Sequence, residues 1–253
     1  MSTSRFDRYL NRRETDLNTK LVLALDLSTS LYSLPQKQKK QNRETLFEKA
    51  RSILAETEPY LAGVKINYPL LWSLGPDLLS KLIAQFELPK IGDFKVADID
   101  NTSRLIAEQA YDIGFEAVIA HPFLGYSGGL DSLFKEARER DRGVVLVINM
   151  SHPGSQEFIT PRAGDLAQFA VDHSAQGVIA PATRPAEVTQ AREWVGPEMT
   201  VLTPGIGAQG GQPGDAIKAG ADYEIVGRAI YQSEHPAEAA RRIRDDINEV
   251  VSQ

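Results

Sequence analysis

The stretch KIGDFKVADIDNTSRLIAEQAYDIG, Lys90–Gly114, holds one whole strand–loop–helix unit. KIGDFK (Lys90 to Lys95) reads as a short buried strand of the kind found in parallel sheets. TSRLIAEQAYDIG (Thr102 to Gly114) repeats apolar residues at three-to-four spacing. That predicts a helix with one buried face, and Gly114 stands where it should stop. Between the two, Asp93, Lys95 and Asp98 gather where the strand runs out.

The same unit recurs along the chain. Further strand candidates are KLVLALD (Lys20 to Asp26), AGVKIN (Ala62 to Asn67), EAVIAH (Glu116 to His121) and GVVLVINM (Gly143 to Met150). QGVIAP (Gln176 to Pro181), MTVLTPG (Met199 to Gly205) and DYEIVG (Asp222 to Gly227) complete eight. Helical patterns lie between them at 78–86, 130–140, 165–174 and 186–195, with Pro185 placed to start the last. Eight strands alternating with helices predict a single (β/α)8 TIM barrel spanning residues 1–253; a doubly wound open sheet is the alternative. Residues 3–16 read as a leading helix and residues 236–251 as a closing one. The polar, basic segment from Leu31 to Thr45 reads as a solvated loop or helix start, with an active-site lid as the functional alternative.

Composition narrows the class. The 253 residues suffice for one barrel and a sizeable core. With no cysteine, a disulfide framework, a thiolate metal site and a cysteine nucleophile are excluded. The net charge of -6 argues against a general nucleic-acid surface. No apolar run approaches a membrane span, and the start has no apolar signal core. A soluble, cytoplasmic protein is expected.

In a barrel, the carboxyl ends of the strands face the catalytic mouth. Asp93 and Lys95, two apart on a strand, should point to one side. Lys65 ends the strand before and Asp26 ends the first, with Asp98 in the loop beyond. Charges of both signs converging on one rim suggest a site. Opposite charges about 4 Å apart, at an effective dielectric near 20, interact by roughly 4 kcal/mol. Fixed neighbours can therefore hold the lysines protonated and the aspartates ionised. A substrate carboxylate set against Asp93 would be repelled, and its loss as carbon dioxide would relieve that repulsion. Lys95 could then stabilise and protonate the carbanion. The bland alternative is a buried ion network that only shapes the barrel mouth.

The other end of the mouth suits a phosphate. TPGIGAQGGQPGDA (Thr203 to Ala216) lacks dinucleotide-fingerprint spacing and reads as a mobile loop hinged on glycines. VGRAIY (Val226 to Tyr231) ends the eighth strand. There Gly227 permits close backbone approach and Arg228 offers a bidentate partner. Loops after strands seven and eight form the common phosphate site of this barrel. In NMSHPG (Asn149 to Gly154), Ser151 could read a polar ring edge; His152 sits in a turn context and weighs less.

LALD, VKIN-YP, DFKVADI--T, MSHPG, P-TRP, PG-GAQGG and VGR-IY together resemble the orotidine 5′-phosphate decarboxylase family, in family order, from Lys20 to about Tyr231. The resemblance implies decarboxylation of orotidine 5′-monophosphate to uridine 5′-monophosphate, with neither metal nor organic cofactor. It implies a catalytic network of Lys65, Asp93, Lys95 and Asp98, with Lys95 as proton donor to C6 of the pyrimidine. Asp26 and Lys65 would bind the ribose hydroxyls, and Ser151 the pyrimidine edge. Pro204 would contact substrate, Gln209 would link base to phosphate, and Gly227 and Arg228 would grip the phosphate. Asp98 and Thr102 would reach into the neighbouring site of a homodimer. The chain departs from the family at Asn67, where glycine is usual, at Tyr223 and Glu224, where small or apolar residues are expected, and in its longer first loop.

Two rivals remain. Sister sugar-phosphate decarboxylases and aldolases share the Asp-x-Lys-x-x-Asp pattern but use magnesium. Their second strand typically ends in a glutamate ligand where this chain has Lys65, whose ammonium would repel the cation. A non-catalytic nucleotide-binding barrel is the other, and its expected mark, loss of a network residue, is absent.

Overall fold

The computed structural model describes residues 4–207 and 210–252. Its sheet contains β1 (Leu21–Ala24), β2 (Gly63–Asn67), β3 (Lys90–Val96), β4 (Ala117–Ala120), β5 (Gly143–Val147), β6 (Gly177–Ile179), β7 (Thr200–Pro204) and β8 (Tyr223–Val226). All pair in parallel and in chain order, and β8 returns to β1, so the sheet closes into a barrel. The helices are α1 (Arg5–Leu17), α2 (Gln36–Thr57), α3 (Tyr68–Leu74), α4 (Pro76–Ile83), α5 (Asp100–Ile113) and α6 (Asp131–Glu139). They continue with α7 (Ser155–Phe158), α8 (Ala163–Asp172), α9 (Pro185–Val195), α10 (Asp215–Lys218), α11 (Arg228–Tyr231) and α12 (Pro236–Ser252).

Alternation along each strand divides the core into two layers. Val22, Ile91, Val145, Leu202 and Ile225 fill the barrel interior. Leu23, Val64, Val118, Leu146 and Val226 point outward beneath the helices. The leading helix plugs the amino-terminal end. Ser4 caps it in a capping box with Asp7, and its Phe6 and Leu10 are buried among the interior residues. The closing helix α12 packs against α2. No helix among the described residues is long and apolar enough to cross a membrane.

The basic segment after β1 differs from a long loop. From Gln36 onward it is the first half of α2. Of the two bland readings of this segment, the helix start is the one the structure bears out, although QKQKKQNR is polar on every face. The second half of α2 does bury Leu46, Ala50, Ile53, Leu54 and Thr57, a helical spacing that could have revealed it. The true connection is 25–35, and it is tied down where the Thr29 amide donates to Ser73 Oγ; Arg43 Nε of α2 donates to the Ser73 carbonyl beside it.

Two family departures have structural explanations. Asn67 caps α3, its side chain accepting from the Leu70 amide at 3.4 Å. Tyr223 points into the barrel, where its hydroxyl meets Glu14 Oε2 on α1 at 2.7 Å.

Candidate active site

At the carboxyl end of the barrel, four strand-end charges meet. Lys65 Nζ lies 2.8 Å from Asp93 Oδ2 and 3.3 Å from Asp26 Oδ1. Lys95 Nζ lies 2.6 Å from Asp93 Oδ1. Asp93 thus bridges two ammonium groups with one carboxylate. Register explains the meeting: Lys65 pairs with Ile91 and Asn67 with Asp93, so β2 and β3 end side by side.

The geometry of Lys95 is not that of a regular strand. The β3–β4 register shifts between Gly92 and Val96, and Lys95 has φ 43°, in the left-handed region. For a residue with a Cβ this conformation costs roughly 1–2 kcal/mol. Outward packing helps impose it. The Phe94 ring is buried against Tyr68 and Phe115, with centroids 4.8 and 5.2 Å away. That ring covers Gly92, where a Cβ would fall 2.6 Å from it. The bulged turn then aims the Lys95 ammonium back at Asp93. Strain held at such a position is characteristic of functional sites.

Burial sets the electrostatics. The Lys65 side chain is 8% exposed and that of Asp93 9%, whereas Lys95 is 41% exposed and can reach a ligand. Burial opposes the charge on Lys65, but the Asp93 and Asp26 carboxylates outweigh it and hold the pKa above its ordinary 10.5. Burial likewise pushes Asp93 up, but the two ammonium groups win and hold it below 3.8. Both groups stay charged through the neutral range.

These side chains open on a cavity of about 290 Å³. Asp26, Lys65, Asp93 and Lys95 line it, with Ser151 and Met150 from the loop after β5. Pro204 at the end of β7, Gly205 and Ile206 just beyond it, Gly227 just beyond β8 and Arg228 at the start of α11 line it too. A Cβ on Gly227 would meet the Tyr231 ring at 3.3 Å and Ala24 at 3.4 Å, so glycine keeps this wall close to the backbone. The cavity therefore joins an ion cluster to a glycine–arginine corner. Among the described residues, no three His, Cys, Asp or Glu side chains are grouped to hold a metal ion.

Not every expected residue joins. Asp98 is exposed, and its carboxylate accepts from the Ile99 amide at 2.7 Å rather than lining the cavity. Thr102 lies half-buried in the first turn of α5, also away from the lining. Gln209 falls outside the described residues. Sequence reading missed Asn149, Ile206 and Tyr231, all of which line the cavity. Asn149 is buried and braced. Its Nδ2 donates to Glu187 at 2.6 Å, while its Oδ1 accepts from the Met150 amide and from Thr160. Its only signal was its place at the end of β5.

Residues 19–243 match the family described as orotidine 5′-phosphate decarboxylase / HUMPS. The orotidine 5′-phosphate decarboxylase of Methanococcoides burtonii is 46% identical over 201 residues, 79% of this chain and 92% of that protein. That of Pyrococcus furiosus is 45% identical over 206 residues, 81% of this chain and 95% of that protein. Among solved structures, orotidine 5′-monophosphate decarboxylase from Methanocaldococcus jannaschii, complexed with inhibitor BMP, superposes with a TM-score of 0.79 at 32% identity. It covers 91% of this chain and 99% of that one.

Proposed function

The chain belongs to the orotidine 5′-phosphate decarboxylase / HUMPS family, and from that premise we propose how its strand-end charges do the work. It is a carboxy-lyase of pyrimidine biosynthesis that decarboxylates orotidine 5′-monophosphate to uridine 5′-monophosphate. The observation that carries the residue assignment is the clamping of Asp93 between Lys65 and Lys95 at a cavity that Gly227 and Arg228 also line.

In this reading the phosphate sits at Gly227 and Arg228, beside Pro204. Asp26 and Lys65 hold the ribose hydroxyls, and Ser151 meets the pyrimidine edge. These contacts press the C6 carboxylate toward Asp93, whose own charge is locked on by its neighbours. The bond from C6 to the carboxyl carbon breaks, and its electron pair stays on C6. The Lys95 ammonium stabilises that pair and then supplies its proton, leaving an amine that water reprotonates. Donors and charges fixed before reaction need no reorganisation as charge develops. Gln209 linking base to phosphate remains part of the proposal.

A homodimer completes the site. Asp98 and Thr102 do not line their own cavity, but they lie beside Ile99, a residue 69% exposed. Trp72 follows β2 and Phe123 follows β4, and they are 73% and 63% exposed. Three successive strand-end segments thus present large apolar side chains on one rim, as a partner-facing surface does. From this rim Asp98 and Thr102 would enter the partner's site. Cytoplasmic residence belongs to the same reading, since charged nucleotides do not cross bilayers unaided.

The direct test supplies orotidine 5′-monophosphate and measures products. Equal amounts of uridine 5′-monophosphate and carbon dioxide are expected; unchanged substrate with folded protein would overturn the reading. For the shared site, inactive Lys95→Ala and Asp98→Ala chains are mixed. Hybrid dimers should regain part of the activity, and no recovery despite demonstrated subunit exchange would refute sharing.

A further inference from the structure

Glu224 is a carboxylate in the middle of β8, fully buried, with no contact to the cavity. Its neighbours Tyr223 and Ile225 face the barrel interior, so Glu224 faces outward, toward the helices. There it accepts three hydrogen bonds. The Gly214 amide donates to both of its oxygens, at 3.0 and 2.9 Å, and the Ala216 amide donates at 3.2 Å. Burial pushes its pKa up to about 7 against the pull of these amides. Burying an acceptor of this kind is unfavourable unless hydrogen-bond donors meet it, as these amides do.

The amides it holds are the foot of the segment that leaves β7. That segment starts at the cavity, where Pro204, Gly205 and Ile206 form a wall. It then folds on itself. The Gly207 amide donates to the Gly211 carbonyl at 2.8 Å, and the Gly211 amide donates to the Gly205 carbonyl at 3.2 Å. A Cβ on Gly211 would lie 3.0 Å from that Gly205 oxygen. Three residues later, Gly214 has φ 87°, and a Cβ there would lie 2.5 Å from Val250 of α12. Gly214 is therefore wedged between α12 and the Glu224 carboxylate. The same carboxylate stands three residues before Gly227, on the strand that ends at the opposite side of the phosphate corner. One buried group ties the two walls of that corner together.

We propose that Glu224 is a positioning residue: by fixing Gly214 and Ala216 to β8, it sets the Pro204–Ile206 wall against Gly227–Arg228 and thereby the affinity for the phosphorylated end of the substrate. The proposal rests on the decarboxylase reading for the identity of that substrate. It separates Glu224 from the reacting atoms, so its loss should weaken binding more than turnover.

The test uses full-length Glu224→Gln and Glu224→Leu with two substrates, orotidine 5′-monophosphate and orotidine, which lacks the phosphate. With the nucleotide, KM should rise by ~10- to 100-fold, the factor that one or two buried hydrogen bonds represent, while kcat stays within about threefold. With orotidine, kcat/KM should stay within about twofold of wild type, since no phosphate is there to be gripped. An unchanged KM for the nucleotide, or equal losses on both substrates, would overturn the proposal. Should Glu224→Leu fail to fold, Glu224→Gln carries the test, because it keeps one oxygen in place with nearly the same shape. Hydrogen exchange of the Gly214 and Ala216 amides provides a readout without substrate. Faster exchange in Glu224→Gln supports the anchor and equal exchange refutes it, even if wild type converts no nucleotide and the decarboxylase reading itself fails.

Discussion

Substitution of Asp93 by asparagine separates a catalytic role from an architectural one. The wild-type carboxylate touches both Lys65 and Lys95 and is 9% exposed. A substrate carboxylate held about 4 Å away, at an effective dielectric near 20, is repelled by roughly 4 kcal/mol. At 1.36 kcal/mol per decade this amounts to about three decades in binding or rate. The neutral amide would remove the repulsion and leave two ammonium groups to attract the carboxylate. Asp93→Asn should therefore lower kcat by ~10³-fold or more while KM for the substrate does not rise. Uridine 5′-monophosphate, which lacks the carboxylate, serves as control: its affinity should improve less than that of the substrate. Steady-state absorbance assays give the first pair of constants and calorimetry the second. Breaking the buried pairs should also destabilise the fold by about 3–5 kcal/mol, leaving a margin in a domain of ordinary stability. A kcat within about threefold of wild type, or parallel weakening of substrate and product binding, would return Asp93 to the scaffold.

Other expectations follow from particular groups. Asp93 is held below 3.8 and Lys65 above 10.5, so neither should produce a limb in kcat/KM between about pH 5 and 9; a pH–rate profile checks this, and a limb in that range abolished by Lys65→Met would contradict it. Glu224 has its pKa raised from 4.5 to about 7, so the folded state binds its proton more tightly than the unfolded state does. The stability this confers is complete below 4.5 and lost as pH rises through 7, about 3 kcal/mol in all. Urea unfolding of wild type against Glu224→Gln should show their difference changing in that direction, and a flat or reversed difference would contradict it. Tyr223→Phe loses the hydroxyl bond to Glu14 and should cost about 1–3 kcal/mol in urea unfolding with kcat unchanged.

The barrel was legible because its strands are short, apolar and evenly spaced, and because several of the helices between them show one buried face. The ion cluster was legible for a different reason. Charges at successive strand ends of a closed parallel sheet have nowhere to go but the same rim, so Asp26, Lys65, Asp93 and Lys95 converge once the topology is right. Their detailed aim was hidden. Period two put Asp93 and Lys95 on one side, yet the bulge and the left-handed φ at Lys95 accompany Phe94 packing on Tyr68 and Phe115, contacts distant in sequence. The first half of α2 could be read as loop or helix start because its polar run has no apolar face; its continuation into the buried second half makes it a helix. Glu224 stood out as an odd residue for a barrel strand, but its purpose depends on the Gly214 and Ala216 amides that the fold delivers to it. Asn149 offered no periodic or charge signal; its importance comes from three partners assembled by tertiary structure.

Decarboxylation here turns on Lys95 protonating the carbanion left when the substrate carboxylate departs. The most direct measurement is single-turnover decay of orotidine 5′-monophosphate absorbance in chelator, for wild type beside Lys95→Ala, with both proteins shown to be folded. The account predicts rapid conversion to uridine 5′-monophosphate by wild type and loss of at least several decades of rate in the variant, beyond the usual ~10²–10⁴-fold of a proton-transfer group alone, because Lys95 also stabilises the carbanion. Comparable rates in the two proteins would contradict it.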